Sequence, residues 1–449
     1  MSERETIVEG DEQASPEDGH TFQPVTEKQR LTSVDVLRGV ALLGILTMNI
    51  VAFAWPFTVY MNPLAAGPID SADRISWLVN HLFFEMKFMT IFSMLFGAGL
   101  ILMWQRAEAQ GDSIFGVWMR RNAWLMLIGL IHGFLLWFGD ILFPYGFCGL
   151  FIYFFRRFRP RNLVIIGTVL LLVFPVIGGL QVVYFRFLQS QHEQAVEKLE
   201  AGEELTKTQQ SFKQAWIEIR GMLNPKPEEF QETVEAYRSG TYLEQLGQRA
   251  PMAFQNLIVG LATFALWRVG GLMLLGMALM KWGVFSAALS KAAYLRMTIA
   301  CYVIALPFTV WGAYRLIEHE FDFMDNFGGD IYFNYFASIP MALGHVGVVM
   351  LLCKSSLFQS LKESLAAVGR MAFTNYLMQT VICTTIFYSY GLGLYAAFGR
   401  AELWYFVIAV WIVQMIYSPL WLSRFRFGPA EWLWRSLTYF KMQPMRKSG

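Results

Sequence analysis

Charge is scarce in this chain. Asp, Glu, Lys and Arg together make up 16% of its 449 residues, against about 25% in a typical soluble domain. Hydrophobic residues make up 55%, and the apolar runs repeatedly approach the ~20 residues that cross hydrocarbon as a helix. An ordinary soluble globule is thereby excluded, and the composition is that of a polytopic membrane protein. Cysteine is scarce too. Cys148, Cys301, Cys353 and Cys383 form no CxxC pair and no metal-ligand spacing, so they read as small packing residues and no metal is expected. A charged n-region, apolar h-region and cleavage site are all missing from the start, so no cleaved signal peptide is expected. No internal repeat is visible, which removes the inverted-repeat signature of many secondary transporters. The net charge of +2 says little by itself, and nucleic acid is not expected as a partner.

What is present is a series of apolar windows at 36–56, 82–104, 122–138, 141–156, 162–185, 258–280, 297–314, 333–353, 371–391 and 402–422. They predict an all-α bundle of about ten transmembrane helices. Short loops on one side carry Arg106, Arg120 and Arg121, then Arg156, Arg157, Arg159 and Arg161, then Lys281, Lys291 and Arg296, then Lys354, Lys362 and Arg370. The opposite loops hold acids such as Asp70, Asp73, Glu318 and Asp325. By the positive-inside rule both termini are cytoplasmic. Residues 1–30 are polar and rich in Glu, Ser and Pro, and read as a disordered cytoplasmic tail. Membrane helices follow at 31–188 and 251–424, separated by a helical outer (periplasmic) insert at 189–250 that is broken at the NPKP run from Asn224 to Pro227. Residues 425–449 form a cytoplasmic surface helix and tail, with Pro429 suited to the first turn of that helix. The insert could be a lid, a binding surface or a solvated hairpin without specific role.

Polar residues inside the apolar windows are the candidate functional groups, because placing them at membrane depth is costly and they usually face a protein interior or a watery cavity. Between Asn122 and Phe155 only His132 and Asp140 can carry charge. Small residues beside them, Gly133 and Gly139, leave room for backbone or ligand. The two are about 12 Å of helical rise apart, so contact requires a bend near Gly139. Histidine is the usual general base near neutral pH, and a carboxylate on its other nitrogen would fix the tautomer. A satisfied structural contact is the alternative.

In the first helix Ser33 is a candidate N-cap, and Asp35 and Arg38 share a face three residues apart. They form a boundary ion pair, or else Arg38 meets an anionic ligand from the cytoplasmic side. Asn49, three turns on, needs partners and could orient a substrate group. His81 and Glu85 share a face in the next segment, with Lys87 close behind; ordinary pairing near the outer boundary competes with a binding role. Gly97 and Gly99 allow close approach of a neighbouring helix. Arg268 must face a carboxylate, a cavity or the outer interface. His345 is expected to be buried and satisfied by a carbonyl. Arg370 and Asn375 lie at the cytoplasmic entrance of a helix, and Glu431 and Arg435, four apart, can pair along the last helix. Trp432 and Trp434 fit an interfacial aromatic belt.

Five stretches together resemble the YeiB-like family of bacterial inner-membrane proteins: RLTSVDVLRGVALLGILTMNI (30–50), KFMTIFSMLFGAG (87–99), HGFLLWFGDIL (132–142), GRMAFTNYLMQT (369–380) and FRFGPAEWLWRSLTY (425–439). That family is similar to the transmembrane acyltransferases, which include heparan-alpha-glucosaminide N-acetyltransferase. Those enzymes pass an acyl group from a cytoplasmic acyl-CoA to a glycan hydroxyl or amine across the membrane. The VDVLRG opening and Asn49 look like the start of that enzyme's first span. Its active-site histidine follows that asparagine, whereas the stretch from Asn49 to Arg74 contains no histidine, so the role is not carried over and only His132 or His81 could substitute. The resemblance implies an inner-membrane acyltransferase with acyl-CoA as co-substrate and no covalent cofactor. Arg38 with Arg370 or Arg435 would meet the donor, with Asp35, Asn49, His81, Glu85, Lys87, Arg268, Asn375 and Glu431 as further binding candidates. His132 would be the base and Asp140 its orienter. The acceptor would be an envelope glycan or lipid, the surroundings the bilayer, and a homo-oligomer is possible. The alternatives are an exporter in which Asp140, His132, Glu85 and Arg268 line a polar path, and a non-catalytic envelope scaffold.

Overall fold

The computed structural model describes residues 31–223 and 226–447. The tail at 1–30 and the Asn224-Pro225 part of the NPKP break lie outside the described residues. Among the described residues the fold is helical, with a single isolated bridge between Phe425 and Arg446.

The ten apolar windows correspond to α1 (Thr32–Ala54), α4 (Lys87–Ala109), α5 (Phe115–Ile131), α6 (Leu142–Ile152), α7 (Pro160–Glu200), α11 (Leu266–Lys281), α12 (Lys291–Glu318), α14 (Ile331–Cys353), α16 (Ala372–Phe387) and α17 (Leu403–Arg424). Between them lie α2 (Phe57–Met61), α3 (Ser71–Phe83), the insert helices α8 (Lys207–Leu223), α9 (Pro227–Arg238) and α10 (Tyr242–Gln255), the one-turn α13 (Phe323–Asp325), α15 (Gln359–Arg370) and the terminal α18 (Pro429–Tyr439). Among the described residues, seven helical stretches are by themselves long and apolar enough to cross a membrane; α5, α6 and α16 are shorter. Most of α1 is buried, while α7, α12 and α17 expose rows of aliphatic and aromatic side chains that suit lipid. The Arg/Lys-rich loops define one end of the bundle, here the basic end, and the insert marks the other.

Glycine sets how closely the helices approach. A Cβ on Gly39 of α1 would sit 2.1 Å from the Leu365 carbonyl oxygen, and one on Gly369 would sit 1.9 Å from that of Asp35. Gly97 of α4 and Gly276 of α11 interlock the same way, against the carbonyls of Met273 and Met94. This is the small-residue packing of membrane helices. Gly99 differs from the expectation, because nothing lies within 4 Å of its would-be Cβ and it borders a cavity.

The insert is continuous with the bundle. α7 runs unbroken through its membrane stretch to Glu200, and α10 passes through a π-helical segment (Asn256–Ala265) into α11. α10 also closes the end of α5. The helix there continues as a π-turn (His132–Leu136) and stops at Trp137, which leaves terminal carbonyls without intrahelical donors. Arg249, fully buried, donates to the Phe134 and Leu135 carbonyls at 2.9 and 3.0 Å, the Tyr242 hydroxyl donates to Leu135 at 2.7 Å, and Asn256 reaches Phe138 at 3.3 Å. The insert is thus a fitted cap on the His132–Asp140 hairpin.

Candidate functional site

Three polar centres emerge. The first is a cavity of about 270 Å³ at the basic end. It is bordered by Arg38 from α1, Arg106 from α4, Arg121 from α5, Arg370 from α15 and Arg435 from α18, five guanidinium groups drawn from five helices. Among the described residues two carboxylates, Asp35 and Glu431, share the lining, and both are engaged. Asp35 accepts from Arg38 at 2.8 Å, as the spacing predicts. Glu431, read from spacing as a partner for Arg435, directs both oxygens at the N-terminus of α16. It accepts from the Phe373 and Thr374 amides at 2.7 and 3.1 Å and from the Thr374 hydroxyl at 2.5 Å, so a side chain of α18 supplies the missing cap. Burial holds the Glu431 carboxyl above the usual carboxylate range, opposed by these hydrogen bonds. Inward from the arginines the wall turns apolar, through Phe92, Leu95 and Leu125 to Ile141, Leu142 and Tyr145. Guanidinium groups at the mouth and an apolar interior suit a multiply charged anion carrying a hydrocarbon tail.

Arg106 and Arg121 enter the sequence reading only as topological charge. The structure adds both to the cavity. Arg121 stacks 3.8 Å over the Trp434 ring, whose indole N–H donates to the Arg121 carbonyl at 2.8 Å, and its Nε has no hydrogen-bond partner among the described residues. Trp434 is accordingly buried against α5 and Phe373 and is not a lipid-facing belt residue. Ser33 likewise does not cap α1. The helix starts after Leu31, and the Ser33 hydroxyl donates to the Phe285 carbonyl at 2.9 Å.

The second centre is the hairpin. The chain turns between Trp137 and Ile141, which brings His132 Nδ1 to 2.9 Å from Asp140 Oδ1. Asp140 is held in turn by the Phe143 amide, 2.8 Å from its Oδ2. The other ring nitrogen, Nε2, lies 2.9 Å from the hydroxyl of Thr380 on α16. With Nδ1–H facing the carboxylate, Nε2 is the acceptor for the Thr380 hydroxyl proton. The order carboxylate, imidazole, hydroxyl is that of an activated nucleophile and its base. His132 and Thr380 are each 1% exposed. Thr380 ends the GRMAFTNYLMQT stretch but carries no role in the sequence reading, since nothing local distinguishes a threonine inside an apolar helix.

The third centre is a buried network near the insert end. His81 Nδ1 meets Glu85 at 2.5 Å; Lys87, fully buried, donates to the His81 carbonyl at 2.5 Å and to Asn334 at 2.6 Å; Asn334 donates on to Glu85 at 3.2 Å. Arg268 meets none of its expected partners. Its donors go to the Tyr335 carbonyl at 2.8 Å and to the hydroxyls of Thr90 and Ser338 at 2.9 and 2.6 Å. His345 is satisfied as expected, by the Phe83 carbonyl and the Tyr302 hydroxyl. His81, Glu85, Lys87 and Arg268 border neither the basic-end cavity nor the large cleft at the insert end. Asn375 is also apart from the cavity. Its amide is used between α16 and α17, accepting from Tyr417 at 2.8 Å and donating to Ser418 at 3.1 Å. Asn49, half-buried in α1, borders neither space. Among the described residues no group of His, Cys, Asp and Glu is arranged to hold a metal.

The cleft at the insert end, about 2210 Å³, is bordered by α7 to α10, by Phe57 and by Phe138 of the hairpin. No described residue borders both spaces. Phe138 lies on one side of Asp140 and Ile141 on the other, so the hairpin forms the partition between them.

These features define a polytopic helical membrane protein with an arginine-ringed cavity at one end and an imidazole–carboxylate pair in the partition beyond it. A family model described as "Protein of unknown function (DUF418)" matches residues 279–441. The chain is 31% identical over 445 residues to the uncharacterized protein YxaH of Bacillus subtilis (strain 168), covering 95% of this chain and 98% of the relative. It is 34% identical over 426 residues to the uncharacterized protein YeiB of Escherichia coli (strain K12), covering 91% and 96%. The chain belongs to the YeiB-like family of membrane proteins. No solved structure matches it.

Proposed function

We propose that this protein is a transmembrane acyltransferase of the bacterial inner (plasma) membrane, taking an acyl group from a cytoplasmic acyl-CoA and passing it to an envelope glycan or lipid at the insert end. The observation that carries this reading is the pair of separate spaces with the hairpin between them. On one side five arginines surround an apolar-walled cavity, which fits the phosphates of an acyl-CoA at the mouth and its acyl end within. On the other side an open cleft reaches Phe138, two residues from Asp140. His132 is the group between them able to accept a proton, and Asp140 fixes its tautomer. In the overall reaction the acceptor oxygen or nitrogen bonds to the acyl carbon, the C–S bond breaks, and the acceptor's proton passes by way of His132 to the departing thiolate.

Arg38, Arg121, Arg370 and Arg435 hold the donor in this reading, and Asp35 and Glu431 fix the arginine frame. The test is acyl-CoA binding to the purified full chain. Arg38→Ala should weaken it about 10- to 100-fold, the worth of one charge-assisted hydrogen bond, and unchanged affinity counts against the donor site. His132→Ala should bind donor normally and lose turnover; undiminished turnover removes the base assignment.

A further inference from the structure

We infer that Thr380 is the nucleophile that carries the acyl group across the partition, so that transfer proceeds in two covalent steps. The inference rests on the acyltransferase reading above and adds a residue and an intermediate to it.

The geometry is specific. The Thr380 hydroxyl lies 2.9 Å from His132 Nε2, the nitrogen left as acceptor once Nδ1–H is held by Asp140 at 2.9 Å. Asp140 is itself fixed by the Phe143 amide, so carboxylate and imidazole are held in place by the hairpin. A threonine hydroxyl is a weak nucleophile alone and becomes competent when an oriented base takes its proton. A merely structural threonine at mid-helix would ordinarily bond back to its own helix. Thr384, one turn on, does so, donating to the Thr380 carbonyl at 2.8 Å.

Position supports the same role. Phe373, Tyr376 and Thr380 lie on one face of α16, at spacings of three and four residues. Phe373 borders the donor cavity, and Thr380 stands about 10 Å of helical rise further in. Tyr376 lies between them, its ring 5.3 Å from that of His132; Thr380 and His132 themselves lie behind the walls of both spaces. Because no described residue borders both spaces, donor and acceptor have no common chamber among these residues in which to react directly. A relay on the partition removes that need.

In the first step the Thr380 oxygen bonds to the thioester carbon and the C–S bond breaks. The threonine proton passes to His132 and then to the thiolate, which leaves as free thiol. In the second, the acceptor's oxygen or nitrogen bonds to the acyl carbon, the Thr380 ester bond breaks, and the acceptor's proton returns through His132 to the threonine oxygen.

The test uses the full chain in detergent with acetyl-CoA and no acceptor, quenched by denaturation and read by peptide mass spectrometry and free-thiol release. Expected are one acetyl ester on the peptide containing Thr380 and a matching burst of thiol. Both should be retained in Thr380→Ser and lost in Thr380→Val and His132→Ala, with the burst slowed on the order of a hundredfold or more. Acetyl-CoA binding measured on Thr380→Val should equal that of the unsubstituted chain, which shows that the variant is folded. An undiminished burst in Thr380→Val, or acetylation confined to other residues, overturns the relay and leaves direct transfer standing. Absence of acetyl-CoA binding by the unsubstituted chain overturns the donor reading and the relay together.

Discussion

Two glycines of α4, two residues apart, should respond oppositely to the same substitution. A methyl group on Gly97 would lie 2.0 Å from the Met273 carbonyl oxygen and 2.7 Å from its carbon, while one on Gly99 meets nothing within 4 Å. Real contacts of this kind do not fall below about 3 Å, so Gly97→Ala requires α4 and α11 to part by roughly 1 Å or to lose register. Overpacking of this sort costs about 1–3 kcal/mol, and the upper end applies because the obstacle is backbone, which cannot rotate away. Both substitutions share the gain of about 1 kcal/mol from replacing glycine in a helix. That term cancels in the comparison. Gly97→Ala should therefore be less stable than Gly99→Ala by about 3 kcal/mol in denaturant unfolding of the two variants in the same detergent. Gly276→Ala, whose methyl would lie 1.9 Å from the Met94 carbonyl oxygen, should match Gly97→Ala. Equal stability of the two α4 variants, or a more stable Gly97→Ala, would refute the interlocked-glycine account.

Gly99 borders the basic-end cavity proposed to take the donor, so Gly99→Leu should not destabilise the fold while blocking acyl-CoA binding; a titration on the folded variant decides it. Arg121→Met should weaken donor binding about tenfold and flatten its dependence on salt, because the lost contact is electrostatic; a salt series on both forms is the check. Arg268→Ala strands buried hydroxyl and carbonyl partners and removes a packed side chain, so it should cost at least about 3 kcal/mol in unfolding while acyl-CoA affinity in the surviving folded fraction stays unchanged. Glu244 caps α10 together with Thr241, and hydrogen bonds from the Thr241 amide and hydroxyl hold its carboxyl below the usual range. A depressed acid stabilises above its unfolded pKa and loses that contribution as pH falls through the folded value. The protection of amides at the start of α10, taken relative to their intrinsic exchange rate at each pH, should therefore fall below about pH 4, near the ordinary carboxylate pKa, and Glu244→Gln should flatten that response.

How much of this was legible in the sequence follows from the range of each interaction. The ten apolar windows could be read because a bilayer imposes one requirement on every stretch that enters it, independent of its neighbours. Asp35–Arg38 and His81–Glu85 could be read because three- and four-residue spacing fixes a shared face. The His132–Asp140 contact needed only a bend, and Gly139 marked it. What failed to show are contacts between residues far apart in the chain. Thr380 stands 248 positions from His132, and Glu431 stands 57 from the Thr374 it caps. Arg121 looks like any loop arginine until α18 lays Trp434 against it. Gly97 and Gly99 carry the same residue type in the same helix, and only the partner helix separates their roles.

The GRMAFTNYLMQT stretch shows how a segment recognisable by its sequence can serve a site chiefly by holding one helix still. Its polar residues invite a reading as ligand contacts, yet most of them fix α16. Glu431 caps the helix at the cavity edge. Asn375 ties it to Tyr417 and Ser418, and Gln379 bonds Gln414 at 3.0 Å, both across to α17. Gly369 lets α15, one residue ahead, lie against the backbone of α1. Each restraint removes a freedom of the same element: sliding along its axis, rotating about it, or parting from its neighbour. The residue that profits is Thr380, whose hydroxyl must stay within hydrogen-bond reach of an imidazole fixed on a separate hairpin. A shift along α16 would strain that contact, and a rotation of one residue, about 100°, would turn the hydroxyl away from it. The polar residues on the α17 side of α16 are therefore needed for the face that meets His132, and a substitution such as Asn375→Leu should impair acyl transfer while sparing acyl-CoA affinity.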